Sequence, residues 1–360
     1  MDMTETELKN RLGNTLNYLE IEPFLVGFTQ VQALQAAFML GLIDRLATAP
    51  QALAGANLAS SAGLDPRGLG LLLDILSAAG VVEPTGLRPD TAWQLSDRFR
   101  AALRFRELIE CRMDFAHLVT PDLLGRLGAF VASPEGFMQG SALFGLFDYG
   151  RCFERTEENL AATRRWVRIT SAYTRHEAPV LLRLFDFSRH RRLLDIGGNS
   201  GEMARQICEA WPELSATVVD LPLVCEIGRG HVAASPAARR IRFAALDALS
   251  APLPGVDLAL FKSVLHDWPD EAAALMLANA HTALAPGGRL VIFERCRGDA
   301  ATADLGAAEL TYGFAPLLLF VPGFRTPSAY ATMLSEAGFS VETITTLRLD
   351  TRFCLIVARR

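Results

Sequence analysis

The sequence predicts an α/β protein, with a mainly helical N-terminal part and a mostly parallel sheet covered on both faces behind it. Three observations carry this. Up to about residue 190, apolar residues recur at three- and four-residue spacing with few β-branched runs, the period of buried helices. Beyond that point short apolar strand-like runs alternate with helical segments, the order that builds a parallel sheet. The first of those runs ends in a glycine turn, with Gly197, Gly198 and Gly201, that opens a helix.

In the N-terminal part, residues 42–47 (LIDRLA) read as a helix end. Residues 57–62 and 66–79 read as two short helices joined by the turn Gly63, Leu64, Asp65, Pro66. GVVEPTG and TAWQLSD follow as two small strands around a Pro-Gly turn. Helix, turn, helix and hairpin is the order of a winged-helix module. DNA binding is one use of such a module. Here, however, the second helix carries only Arg67 as a basic residue and is otherwise LGLLLDILSAAG. A helix in a major groove needs polar side chains for base edges and phosphates, whereas an apolar one suits a core or a subunit interface. The uncharged, glutamine-dotted stretch 24–43 likewise suits a partner helix.

In the C-terminal part the strand-like runs are RRLLDIGG, SATVVDLP, IRFAALDA, VDLALFK and RLVIFER, the last preceded by the breaker Pro286, Gly287, Gly288. GEMARQICEAW, DEAAALMLANAHTAL and SAYATMLSEAG read as helices, and SVETITTL with RFCLIVARR as a closing hairpin. A ligand is then expected at the carboxyl ends of the strands.

Composition narrows the function. Half of the 360 residues are apolar and 21% are charged, which excludes a disordered chain. A net charge of −5 argues against a nucleic-acid binder that works by phosphate neutralisation. The six cysteines form no C-x-x-C pair, and the six histidines show no metal-ligand spacing, so neither a disulfide framework nor a metal is expected. The polar N-terminus does not read as a signal peptide. Neither uncharged stretch, 24–43 or 310–324, reads as a membrane span, the first because of its glutamines and the second because it is short and broken by Pro316 and Pro322. A cytoplasmic protein is expected.

Five positions carry candidate chemistry. The glycines at 197, 198 and 201 allow a sharp turn and a close ligand approach, although a plain strand-to-helix turn looks the same. They do not match the G-x-G-x-x-G of dinucleotide folds. Asp220 ends the next strand, where a carboxylate can accept from a ribose diol or cap a helix. Asp247 ends a third strand and is able to accept from an exocyclic amine. His266, in KSVLHDW, stands just past a strand end, placed for general-base work or held by loop backbone. Glu294 ends the strand RLVIFE; if the two strands are neighbours, it orients the imidazole and raises its basicity.

Together these residues resemble the plant-type and bacterial small-molecule O-methyltransferases that use S-adenosylmethionine. DIGGNSG is similar to the family's D-[VI]-G-G-G-x-G loop, and VVDLP, LDA, FKSVLHDWPDE, LAPGGRLVIFE and AGFSVE follow in the family's order and spacing. LGLIDRLA and GLDPRGLGLLLDILSAAGVV resemble its N-terminal winged-helix dimerisation domain. The resemblance covers nearly the whole chain. It implies a dimerisation domain over 1–105, a helical linker contributing to the acceptor pocket over 106–188, and a Rossmann-like class I methyltransferase domain over 189–360 with an antiparallel last strand. It further implies that Gly197 packs against the cofactor's methionine portion and Asp220 binds its ribose. Asp247 and the backbone at Ala248 hold the adenine, Lys262 lines the cofactor site, His266 is the base and Glu294 its brace. Rough alignment with the family adds Trp166, Ile169, Ala315 and Leu319 as acceptor contacts, toward a flat, apolar aromatic molecule in secondary metabolism. No nucleic-acid or membrane partner is implied, and the dimer is a homodimer.

Two departures from the family pattern stand out. Asn199 takes the place of a third glycine, which is tolerable because Asn reaches left-handed backbone conformations. Phe324, in VPGFRT, stands where the family often has a glutamate as a second brace for the histidine. Some relatives with other tasks, including ring-carbon methylation of tetrapyrroles, also look apolar here. Carbon or nitrogen methylation on the same scaffold is therefore the alternative reading.

Overall fold

The computed structural model describes residues 22–86, 91–138, 140–141, 145–298 and 324–360. The chain divides between Ile109 and Glu110 into two compact units.

In the first unit, helix α1 (Glu22–Met39) is followed by α2 (Leu42–Thr48), which opens at Gly41 in the left-handed region. Strand β1 (Leu53–Ala54) leads into α3 (Gly55–Ala62), then α4 (Pro66–Ala78). Asp65 caps α4 by accepting from the backbone N–H of Arg67 and Gly68, with Pro66 at the first helical position, so the start of this helix is written locally. The apolar face of α4 (Leu69, Leu73, Leu76) packs with Leu42, Ile43, Leu46 and Leu58 into one core. Strands β2 (Val82–Thr85) and β3 (Ala92–Leu95) complete an antiparallel sheet in the order β1-β3-β2, and α5 (Asp97–Ala102) follows. The helix–turn–helix–hairpin order expected from the sequence is present.

Helix α6 (Arg106–Ala132) runs across the boundary and is followed by α7 (Pro134–Met138) and the long α8 (Glu157–Leu184), which Thr156 caps. The sheet then alternates with helices: β4 (Arg192–Ile196), α9 (Glu202–Ala210), β5 (Ser215–Asp220), α10 (Pro222–Val232) and β6 (Ile241–Ala245). It continues through β7 (Val256–Lys262), α11 (Asp270–Ala283), β8 (Leu284–Arg295), α12 (Pro327–Glu336), β9 (Ser340–Arg348) and β10 (Arg352–Arg359). Among the described residues the seven strands lie in the order β6-β5-β4-β7-β8-β10-β9. The first five are mutually parallel; β10 runs antiparallel to both β8 and β9.

Successive residues of the central strands enter opposite cores. Leu193, Val218, Leu260 and Phe293 pack with α8 and α9 on one face; Leu194, Val219, Phe261 and Ile292 pack with α11 and α12 on the other. Each such side chain stabilises the fold by roughly 1.5–3 kcal/mol.

One element departs from expectation. Pro286, Gly287 and Gly288 predict a break before a strand, yet β8 runs through them from Leu284. The register against β7 shifts between Val256 and Leu258, and this irregularity takes up the proline and the positive φ of Gly287. Among the described residues, no helix is long and apolar enough to cross a membrane.

Candidate active site

The carboxyl ends of the parallel strands open onto a cavity of about 370 Å³. The sequence-predicted residues Gly197, Asp220, Asp247, Ala248, Lys262 and His266 all line it, and α8 adds Trp166 and Ile169. Ala315 and Leu319 lie outside the described residues. The aromatic side chains of Phe147, Tyr149, Phe153 and Tyr173 also line the cavity.

The loop after β4 has no room for a side chain at Gly197 or Gly198. A Cβ on Gly197, at φ +66°, would stand 2.7 Å from Val264, and one on Gly198 would stand 2.6 Å from the Asp195 carboxyl group. Asn199 adopts φ 55°, the left-handed conformation expected of it. Its Oδ1 accepts from the Ser200 N–H at 2.8 Å and from the Thr170 hydroxyl at 3.2 Å, tying the loop to α8.

Asp220 accepts from the backbone N–H of Asn199 and of Leu221, each at 2.8 Å. Burial nevertheless pushes its carboxyl group up to about 6 against these two donors. Asp195, behind the loop, is pushed up to about 7 by burial and by the charge of Asp220. Asp247 accepts from the Leu249 N–H at 2.9 Å, and Asn279 on α11 donates to the carbonyl of Ala248 at 2.8 Å.

Glu294 lies beneath the cavity, fully buried at the end of β8. Strand β8 is the neighbour of β7, as the pairing of the two residues requires. Its Oε2 is 2.5 Å from His266 Nδ1, while its Oε1 accepts from the N–H groups of Val264 and Leu265 at 2.7 and 3.0 Å. One carboxylate thus orients the imidazole and the turn that carries it. Burial pulls the His266 pKa down, but the charges of Asp267 and Glu294 outweigh it and leave it above the ordinary histidine value. Phe324 flanks the ring, and Arg325 donates to the carbonyls of Leu265 and Trp268 at 2.6 and 2.8 Å, fixing both ends of the turn.

Sequence reasoning misses Glu177, Arg295, Asp267 and Arg325. Glu177 on α8 is buried between the cations of Lys262 and Arg295: Lys262 makes an ion pair with its Oε2, and Arg295 Nη2 donates to Oε1 at 2.7 Å. Lys262 also donates to Thr174 at 2.9 Å. Burial would raise the Glu177 carboxyl pKa, but the two cations hold it at about 2. A helical signal is present, since Thr170, Tyr173, Thr174 and Glu177 share one face with Trp166. Among the described residues, no group of His, Cys, Asp and Glu is arranged to hold a metal ion.

A family model for the O-methyltransferase domain matches residues 137–340, and one for the O-methyltransferase dimerisation domain matches residues 23–98. Acetylserotonin O-methyltransferase of Rattus norvegicus is 30% identical over 316 residues, covering 87% of this chain and 71% of that protein. A 3-amino-4-hydroxybenzoate 4-O-methyltransferase of Streptomyces cremeus is 29% identical, covering 93% and 89%. The crystal structure of human N-acetylserotonin methyltransferase in complex with S-adenosylmethionine superimposes with a TM-score of 0.75 at 22% identity, covering 100% and 99%, and so shares the fold. The chain belongs to the S-adenosylmethionine-dependent O-methyltransferase family.

The residues present fit that cofactor. Gly197 and Asn199 of the loop line the cavity, where the backbone lies open to a ligand. Among the described residues two backbone donors hold the Asp220 carboxylate, and a ribose diol would bring two more to it.

Proposed function

We propose that this enzyme methylates a hydroxyl of a flat, apolar aromatic small molecule, with His266 as the general base. The observation that carries this reading is the Glu294-oriented imidazole of His266 at the edge of an aromatic-walled cavity. Gly197 would pack against the methionine portion of the cofactor, Asp220 would bind the ribose, Asp247 and Ala248 the adenine, and Lys262 would line the same site. When bound, S-adenosylmethionine supplies a methyl group made electrophilic by its sulfonium.

The chain's own task is then alignment and proton removal. Trp166 and Ile169, within the segment 106–188, would hold the acceptor ring, and alignment of this kind contributes roughly 7–11 kcal/mol. Glu294 accepts from Nδ1–H, so the lone pair of His266 is on Nε2, the nitrogen able to take the hydroxyl proton. Positioned general-base catalysis adds about 10²- to 10⁴-fold. Lys262 and Arg295 both line the cavity, but Glu177 engages both cations, so the site does not suit a phosphorylated acceptor. The two relatives named above act, by their names, on acetylserotonin and 3-amino-4-hydroxybenzoate, each with a hydroxyl on an aromatic ring. We read the enzyme as a cytoplasmic homodimer, joined through its N-terminal unit, that works in secondary metabolism.

The test is His266→Ala. Calorimetry should show unchanged binding of S-adenosylhomocysteine, while turnover on a panel of hydroxylated aromatics falls by about 10²- to 10⁴-fold. Full turnover at neutral pH would remove His266 as the base. Phe324 beside His266 favours a second reading, methylation at carbon or nitrogen, which NMR of the product separates from O-methylation.

A further inference from the structure

Glu294 holds only one side of the His266 ring. On the other side stands a pair outside that dyad. The Tyr149 hydroxyl, from the turn Tyr149–Phe153, donates to Asp267 Oδ2 at 2.7 Å. Asp267 Oδ1 in turn lies 3.3 Å from His266 Nε2. We propose that Asp267, oriented by Tyr149, is a positioning residue for His266: it faces the nitrogen that takes up the proton and stabilises the imidazolium that results. The inference rests on the reading of His266 as the base and extends it to two residues that contact neither Glu294 nor Nδ1.

The geometry is fixed from several directions. The Tyr149 ring stacks on Trp268, centroids 5.8 Å apart at 22°, and meets Trp166 edge-on at 5.4 Å. Its hydroxyl therefore has little freedom to leave Asp267. The turn that carries Asp267 is held at Leu265 and Trp268 by Arg325. Phe324 covers a further side of the imidazole with a ring that brings no charge. Among the described residues, the ionisable groups around His266 are thus Glu294 and Arg295 from β8, Asp267 from its own turn, Tyr149 behind Asp267, and Arg325 behind the turn. Arg295 opposes protonation of the ring; Asp267 and Glu294 favour it.

In the step concerned, the acceptor's hydroxyl proton passes to Nε2 and its bonding pair stays on oxygen. The neutral imidazole becomes an imidazolium between two carboxylates. An opposite charge at this range typically moves a pKa by about one unit or more. The Tyr149 hydrogen bond acts one step further back, because it helps to keep Asp267 ionised against burial.

The experiment is NMR titration of the His266 imidazole in the full chain, with no acceptor present. The resonance is assigned by its loss in His266→Ala, and the parent is compared with Tyr149→Phe and Asp267→Asn. The expected result is a lower His266 pKa in both variants, by about one unit in Asp267→Asn and by less in Tyr149→Phe. The acid limb of the turnover profile should move to lower pH by the same amounts. Tyr149→Phe keeps the ring packing, so it carries the test even if Asp267→Asn does not fold. A His266 pKa that stays at the parent value in Tyr149→Phe and in every folded Asp267 variant overturns the proposal. His266→Ala judges the base reading separately, by turnover.

Discussion

Phe324 lies edge-on to His266, ring centroids 5.3 Å apart and planes at 89°, with the phenyl ring buried. An uncharged ring therefore occupies this flank, at the position that the sequence resemblance aligns with a family glutamate. His266 has Glu294 on one nitrogen and Asp267 near the other.

Phe324→Glu should separate the two arrangements. A carboxylate there adds a third negative charge to a buried group of two, which costs stability and raises the affinity of His266 for a proton. The melting temperature should fall, and the acid limb of methylation should move to higher pH by about one unit. The measurements are thermal unfolding and a turnover profile; a limb unmoved in folded enzyme would show that this flank does not influence the base.

Glu294→Gln should cost more than the loss of one hydrogen bond. The carboxylate serves His266 Nδ1 with one oxygen and the N–H groups of Val264 and Leu265 with the other. An amide retains the shape but brings donors toward donors, so either the ring or the turn loses its partner. Turnover should fall by about 10²-fold or more, with S-adenosylhomocysteine affinity retained in calorimetry.

The ribose contact proposed for Asp220 should make cofactor binding sensitive to acid. In the free protein its carboxyl group titrates at about 6, because burial outweighs its two backbone donors. Added donors from a ribose diol would lower that value, so the ligand prefers the ionised form. Affinity should be constant above about pH 6 and weaken as pH falls below it, approaching tenfold per unit. Calorimetry of S-adenosylhomocysteine across this range checks it, and Asp220→Asn should abolish the slope.

The parts of this site that lie next to one another in the chain are legible from the residues themselves. The glycine loop, Asp220 and Asp247 sit at strand ends whose apolar runs are local signals, and the His266–Glu294 pairing needs only that β7 and β8 be neighbours. The parts that escape a reading of the sequence depend on distant partners. Glu177 is a charged residue in a helix, which reads as solvent-facing until Arg295, 118 residues away, is found beside it. Asp267 is visible in the HDW run, but nothing local marks Tyr149, also 118 residues away, as its donor. The continuous strand at Pro286 has a different cause. A bulge allows a strand to continue through residues that ordinarily end one.

Glu177 also makes the fold acid-sensitive, in a window set by its own titration. Its carboxyl group is held at about 2 in the native state, below the ordinary 4.5 of the unfolded chain. A depressed carboxyl pKa contributes stability that is present in full above the unfolded value and lost as pH falls through the native one. Glu177→Gln should therefore flatten part of the acid slope of unfolding free energy between about 4.5 and 2. At neutral pH the same substitution leaves Lys262 and Arg295 as buried cations without their shared anion, a change that costs about 3–5 kcal/mol when a buried ion pair is broken from one side. Replacing Lys262 by Met in the same chain removes one of those cations and should recover part of the loss. Urea unfolding of the two variants at pH 7 and pH 3 measures both effects. If Glu177→Gln matched the parent at both pH values, the buried anion would not be holding the cavity floor together.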